Sequence, residues 1–232
     1  MQGIHGDVIF MQEMNYLDNS MLSIRSLVDQ VCGATCSYFR GTGSIPNGIL
    51  STYPILASGE WIDAQVTNRG FVWARIDVPG TIDLWAVSIH FLTSGPSARN
   101  AQAMELLSLL QANVPTTDFL LVGGDLNTDT RNESAIVTLA ARLVTSSPYP
   151  ADASNNGNTN SPRNRPYDWL LPSAGLSMRG TPVLIGASTF TRGLVVDTRV
   201  YNPLSDIAPA EIGDSGALGM QHMAVVRDFL LE

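Results

Sequence analysis

No lysine occurs in these 232 residues, and all 13 basic residues are arginine. Reactions that turn on a lysine amine are excluded by that absence: a Walker-type phosphate loop, a pyridoxal Schiff base, a Ser-Lys dyad. Cysteine is confined to Cys32 and Cys36, and the histidines His5, His90 and His222 are too scattered for an HExxH site. Structural zinc needs a denser ligand set. The Cys-x3-Cys pair either closes a small disulfide, as in a secreted enzyme, or stays as thiols. Long apolar runs are missing as well. The longest, Asp118–Gly124 and Trp85–Ile89, are strand-sized, whereas a membrane span needs ~20 residues. The opening residues, Met1 to Asp7, carry neither the basic region nor the apolar stretch of a signal peptide. The expectation is a cytoplasmic chain, or one whose leader lies outside these residues.

What is present begins with charge. The 21 acidic residues against 13 arginines give a net charge of −8. Such a chain does not coat polyanions by bulk electrostatics, so any nucleic-acid contact must be local or metal-mediated. At 232 residues and 44% apolar side chains, the length suffices for one sizeable core. No repeat or linker divides it, and residues 1–232 are expected to form a single domain.

Short apolar runs alternate with polar or helical stretches. Strands are predicted at Asp7–Met11, Phe71–Val78, Ile82–Phe91, Phe119–Gly123, Asp168–Leu171, Pro182–Gly186, Leu194–Arg199 and His222–Leu231. Three amphipathic helices are predicted. One carries Met21, Ile24, Val28 and Val31 behind Asn19 or Ser20 as cap. Another carries Ala103, Leu106, Leu107 and Leu110 behind Ser97, and the last Ile136, Leu139, Ala140 and Leu143 behind Asn132. Strands outnumber helices, which argues α+β or a layered sandwich. Trp73, Trp85 and Trp169 sit in or beside strand runs and read as core. The polar segment Thr145–Pro166 has no periodicity and leads into Asp168, carrying Arg163 and Arg165 on the way. It reads as a substrate-facing loop or as a mobile surface excursion.

Chemistry-bearing residues collect at the ends of the apolar runs. Glu13 follows the first, His90 ends Leu84–His90, Asp125 and Asn127 close Phe119–Asn127, Asp168 opens Asp168–Leu171, and His222 opens the last. Buried carboxylates need partners, so a strand ending in one usually lines a site. If these ends share one rim, it holds three carboxylates, an amide and two imidazoles. Oxygen donors suit a hard divalent ion such as Mg²⁺, with Mn²⁺ or Ca²⁺ as substitutes. Two histidines beside it could move protons and neutralise a phosphate oxygen. The residues alone therefore read as metal-assisted phosphate ester hydrolysis.

At these same positions the chain resembles the endonuclease/exonuclease/phosphatase superfamily, with its DNase I-like fold. The pieces that carry the resemblance are Asp7–Glu13, Asn47–Ile55, Val87–His90, Arg99–Gln102, Gly123–Thr128, Tyr167–Leu171 and Gln221–Val225, in the family's order along the chain. Gly123-Gly-Asp-Leu-Asn127 is the most specific of them. The resemblance implies a four-layer α/β/β/α sandwich, two mixed β-sheets flanked by helices, with a divalent-metal phosphoesterase site. By it, Glu13 is the metal ligand. Asp125 and Asn127 position the attacking water and contact the phosphate, His90 and His222 stabilise the phosphate and move protons, and Asp168 holds a histidine or a metal-bound water. Arg99 and Gln102 are helix residues that support the site. Arg163 and Arg165, with Asn127, are the expected substrate-binding residues.

Two departures stand out. The family usually has Asp immediately before the last histidine, where this chain has Gln221. An amide fixes an imidazole's tautomer but does not favour its charged form, so Asp206 or Asp214 is a candidate substitute in space. The family also begins with a strand bearing a metal-binding Asn, which is not found ahead of Asp7. The domain is therefore expected to be N-terminally incomplete.

Three functions follow. One is a DNase I-like nuclease or other phosphodiesterase; another is a phosphatase or a lipid, inositol or nucleotide phosphodiesterase of the same fold; the last is a non-catalytic binding homologue. The partner is a phosphodiester substrate, DNA or a small or lipid phosphate ester, and a monomer is expected. Gly213-Asp-Ser-Gly216 looks like the nucleophile region of chymotrypsin-like proteases, but without an all-β pattern it reads as a turn. The cysteine pair and the Asn132-Glu-Ser sequon lean toward a secreted or periplasmic setting.

Overall fold

The structure, a computed structural model, describes residues 2–231. Its elements begin with β1 (Val8–Met11), α1 (Met21–Val31), β2 (Ser37–Arg40), β3 (Gly48–Ser51), β4 (Ile55–Trp61), β5 (Phe71–Ile76) and β6 (Leu84–His90). Next come α2 (Pro96–Asn113), β7 (Phe119–Asp125), α3 (Ser134–Leu139), β8 (Asp168–Pro172) and α4 (Ala174–Ser177). Six short strands close the chain: β9 (Gly180–Thr181), β10 (Val183–Ile185), β11 (Ser188–Phe190), β12 (Leu194–Val196), β13 (Ala224–Val226) and β14 (Asp228–Phe229).

Every residue of β7 is buried, which its unbroken apolar run requires of a strand covered on both faces. It sits inside a five-stranded sheet of order β4-β5-β6-β7-β8. Strands β6 and β7 are parallel, joined by α2 as the crossover, and the remaining pairs of that sheet are antiparallel. A smaller sheet, β1-β3-β2, is antiparallel throughout, so of the two mixed sheets expected only the larger mixes directions.

The two sheets face one another over a core that includes Ile49, Val72, Ala74 and Leu121, with Phe10 and Phe39 packed against it. On the outer face of the larger sheet, Leu106 and Leu110 of α2 and Ile136 and Leu139 of α3 meet Val87, Ile89, Leu120 and Val122. On the outer side of the smaller sheet, Ile24 and Val28 of α1 pack with Met14, Cys36 and Leu50. The result is the four-layer α/β/β/α sandwich. Cys32, which caps the C-terminus of α1, is disulfide-bonded to Cys36.

The helix caps differ from expectation at two of three places. Ser20 caps α1 as expected, its hydroxyl accepting from the Ser23 amide. The second helix starts at Pro96, about two turns before its apolar stripe begins at Ala103, with Gly95 rather than Ser97 as cap. Its buried face includes Arg99 and Gln102, which hides the first turn from a hydrophobic count. The third is capped at Glu133, one residue past Asn132, because the Glu133 carboxylate is occupied by Arg99. The last predicted strand, His222–Leu231, is broken at Arg227 into β13 and β14, which pair with β12 and β9 respectively. Strands β2, β3 and β4 carry no clean alternation and were not among the predicted strands.

Candidate active site

Sheet register builds the first half of the site. His90 is paired with Asp125 across β6 and β7, and Asp125 with Asp168 across β7 and β8. Residues opposite one another point to the same face, so three strand ends present their side chains in one row. The glycines before Asp125 make that row possible. A Cβ at Gly124, whose φ is +142°, would lie 2.0 Å from the Ile89 carbonyl oxygen, and one at Gly123 would meet Leu170 and Phe10 within 3 Å.

Beyond the row the chain turns sharply, and Asn127 takes a φ of 51°. Its amide N–H donates to Asp125 Oδ1 at 2.8 Å, and its Nδ2 donates to Asp125 Oδ2 at 2.9 Å and to the Phe91 carbonyl at 3.0 Å. Both amide hydrogens are thus used, leaving Oδ1 as the free acceptor of a buried side chain.

The long loop supplies the second half. Ser161 donates its N–H to the Gln221 carbonyl and Met223 donates to the Thr159 carbonyl, so His222 forms a β-bridge with Asn160. Thr159 Oγ1 accepts from the Asp168 amide at 2.7 Å. Part of the segment is a scaffold that sets His222 against Asp168. His222 Nδ1 lies 3.0 Å from Asp168 Oδ2, its Nε2 lies 3.7 Å from Asp125 Oδ2, and Tyr167 packs on the ring.

These contacts split the two imidazoles. Burial alone would depress His222, but the hydrogen bond to Asp168 and the charges of Asp168, Asp125 and Glu13 outweigh it and raise it to about 9. His90 is held at about 3 by its burial, and then by the positive charges of Arg69 and His222. Its approach to Asp125, 3.4 Å from Nε2, is that of a neutral ring and not an ion pair. Asp125 is pushed up to about 7 by burial and by the charge of Asp168. Near neutral pH the site holds one charged imidazole, one neutral imidazole and one carboxylate poised between its states.

Three residues support the site: Arg99 and Gln102, expected there as helix residues and found buried on α2, and Arg69, which the sequence does not mark. Arg69, almost fully buried, donates Nε to the His90 carbonyl at 2.6 Å and Nη2 to the Phe91 carbonyl at 3.1 Å. It fixes the end of β6 and, through Phe91, the Asn127 amide. An isolated arginine in a loop gives no sequence signal for this. Gln102 accepts the Leu92 N–H at 2.6 Å and donates to buried Asp63, pinning the loop after His90. Arg99 makes a two-pronged pair with Glu133, both contacts at 2.8 Å, and reaches Asp129 at 3.0 Å.

Other expected residues lie elsewhere. Glu13 is exposed at a φ of 50° after β1, close enough for its charge to act on His222 and Arg69, but outside the tightest cluster. Arg163 is not placed to meet substrate: it is held between Asp152 at 2.5 Å and Asp197 at 3.0 Å. Arg165 is half-exposed and ion-paired to Asp129. No substitute for an Asp at position 221 comes from Asp206, which packs on Gly186, or from Asp214, which accepts the Glu211 amide. Asp168 does that work from β8. Ser215 of the protease-like tetrapeptide is buried and exchanges hydrogen bonds with Thr198.

Asp125, Asp168 and His222 bring one ligand atom each within 4.8 Å of one another. A divalent cation fits the carboxylates chemically, since a positive charge there relieves the repulsion that raises Asp125. The carboxylate oxygens of Asp125 and Asp168 are the hard donors such an ion prefers, and His222 supplies the third ligand atom of the cluster.

The Endonuclease/Exonuclease/phosphatase family model matches residues 2–206. None of the curated proteins matches the chain. Among solved structures, an endonuclease/exonuclease/phosphatase from Bacteroides vulgatus is 17% identical, with a TM-score of 0.64, over 97% of this chain and 85% of that one. A protein of the same family from Leptotrichia buccalis is 15% identical, with a TM-score of 0.60, over 96% and 88%. Sphingomyelinase C from Streptomyces griseocarneus is 15% identical, with a TM-score of 0.53, over 80% and 82%. These likenesses concern the fold.

Proposed function

The chain belongs to the endonuclease/exonuclease/phosphatase family, and from that premise we propose that it is a divalent-metal-dependent phosphoesterase that cleaves phosphodiester bonds as a nuclease. The observation that carries the reading is the row His90, Asp125, Asp168 with His222 clamped across it. Asp125, raised to about 7, is matched to a general base that takes a proton from the attacking water. Asn127 Oδ1 accepts the other hydrogen of that water and orients it. His222, charged and held by Asp168, lies against the phosphoryl oxygens and returns a proton to the leaving group. His90, neutral, donates through Nε2 toward Asp125 and keeps that carboxylate turned into the site.

Mg²⁺ would be held by the Asp125 and Asp168 carboxylates with Glu13 on the exposed side, and supplies Lewis-acid stabilisation of phosphoryl charge when bound. The Cys32–Cys36 disulfide supports a secreted or periplasmic setting for the enzyme.

Nicking of supercoiled plasmid in Mg²⁺, against EDTA and against Asp125→Asn, tests the reading. Metal-dependent nicking that disappears in the variant supports it. An intact plasmid, with turnover of a phosphomonoester or of sphingomyelin, moves the chain to the phosphatase or lipid branch of the family. No turnover of any phosphate ester by the folded chain leaves a binding homologue.

A further inference from the structure

Besides holding His222, the loop before Asp168 walls a groove of about 640 Å³. Its polar lining includes Arg131, Arg192, Tyr149, Asn155, Asn156 and Asn158, and no Asp or Glu is among its described lining residues. In a chain of net charge −8 this is a local reversal of sign. A cleft lined by one sign of charge focuses its field on a ligand of the other.

Arg131 is built to present its edge. Its guanidinium carbon lies 4.0 Å from the centre of the Tyr149 ring and 4.9 Å from that of Trp169, which hold it flat. Nη2 donates to the Gly157 carbonyl at 2.5 Å, and no carboxylate pairs with it among the described residues. A guanidinium carries five N–H donors, so most of its edge is left over. Arg99 and Arg163, by contrast, are each closed off by two carboxylates. Arg192 is exposed on the same groove and donates to Asn155.

A small cavity adjoins the groove on the side of β8. The groove shares Arg131, Tyr149, Pro150 and Gly157 with this cavity of about 20 Å³, whose wall includes Thr159, Asp168 and Arg227. Arg227 is half-buried, donates to the Leu170 carbonyl at 3.2 Å, and has no carboxylate partner among the described residues. Basic, unpaired side chains therefore continue from the groove to the side of β8.

We infer that this groove is a second anion site, for a phosphoryl group, and that the substrate is a strand bearing several phosphates: one reacts at Asp125 and His222, and a neighbour rests on Arg131 and Arg192. The inference rests on the phosphodiesterase reading and names its substrate class. Free phosphate offers the groove the same chemistry, so the test separates the two sources.

Binding of a fluorescent single-stranded 12-nucleotide DNA to the full chain is measured by anisotropy in EDTA, across a salt series. Arg192→Gln is expected to weaken binding at least fivefold and to flatten the salt slope by about 0.7, the value for one phosphate contact on a single strand. Arg131→Gln weakens it further. Because Arg131 stacks on Trp169, exposed Arg192 is the variant on which the result turns. Arg179→Gln, the same charge change at an exposed site away from the groove, stays within twofold of wild type.

Equal loss in Arg179→Gln and Arg192→Gln, or no loss in either, overturns the site. Calorimetry with inorganic phosphate separates the sources. Phosphate binding that is lost in Arg192→Gln, with no binding of DNA by wild type, overturns the strand and assigns the groove to a free phosphoryl ligand. Neither assay involves turnover. Absent nicking alongside Arg192-dependent DNA binding refutes the nuclease reading while the groove stands.

Discussion

His222 Nδ1 lies 3.0 Å from Asp168 Oδ2, although 54 residues separate them in the chain. The loop before Asp168 pairs with the Gln221–Met223 segment and accepts from the Asp168 amide through Thr159, so both partners are set by one scaffold. His222 thereby has a carboxylate partner although position 221 is Gln.

Substitutions at the two positions should separate accordingly. Asp168→Asn removes the charge that orients and protonates His222, and turnover is expected to fall at least ~100-fold, the range for a displaced acid–base group. Gln221→Asp, at an exposed side chain, is expected to stay within threefold of wild type. Steady-state rates on a bis-aryl phosphate check both, and a large gain in Gln221→Asp would show that Asp168 does not suffice.

The pH profile follows from the raised groups. Turnover in Mg²⁺ should fall as pH passes about 9, where His222 loses its proton, and its acid limb should lie below the value of about 7 that Asp125 has without a cation beside it. Asp168 raises both groups, so in residual Asp168→Asn activity both limbs should move to lower pH. Stability has its own sign here. A histidine raised above its ordinary 6.5 contributes stability in full below that value, and the contribution is lost as pH rises through about 9. Thermal melts from pH 6 to 10 of wild type and His222→Asn measure that difference.

Arg99 and Glu133 form a buried two-pronged pair that ties α2 to the start of α3, and breaking such a pair costs about 3–5 kcal/mol. Glu133→Gln is expected to lower stability by that order in urea melts. Arg99→Lys should not restore it, because an ammonium cannot fill both contacts.

Arg69 should matter for rate through the carbonyls it holds. Arg69→Gln frees the His90 and Phe91 carbonyls, and with them the Asn127 amide. The expected outcome is a kcat reduced at least ~10-fold with KM within threefold, since the lost contacts orient groups rather than bind substrate. A pure KM effect would place Arg69 in binding instead.

The sequence makes the sandwich and the site's membership legible for one physical reason: active residues sit where apolar strands stop. Phe119–Asp125 announces itself by its unbroken apolar run and by the Gly123-Gly124 pair before Asp125, whose need for glycine only the closeness of Ile89 and Phe10 in the structure explains. Contacts set by long-range register were not legible. Nothing local shows that Asp168 pairs with His222 rather than Asp206 or Asp214, or that Arg163 is spent on Asp152 and Asp197. Arg69 and Asn160 act through backbone groups, which leave no pattern in the residues around them. The start of α2 is displaced by two residues from the Ser97 cap because Pro96 opens the helix without a side-chain cap.

The central claim is that this cluster hydrolyses phosphodiesters with a divalent ion. The most direct test is turnover of a bis-aryl phosphate by wild type, Asp125→Asn and His222→Ala, each confirmed folded, in Mg²⁺ and in EDTA. The account predicts Mg²⁺-dependent turnover in wild type and a loss of at least ~100-fold in each variant. Undiminished turnover in folded His222→Ala, or equal rates in Mg²⁺ and EDTA, would contradict it.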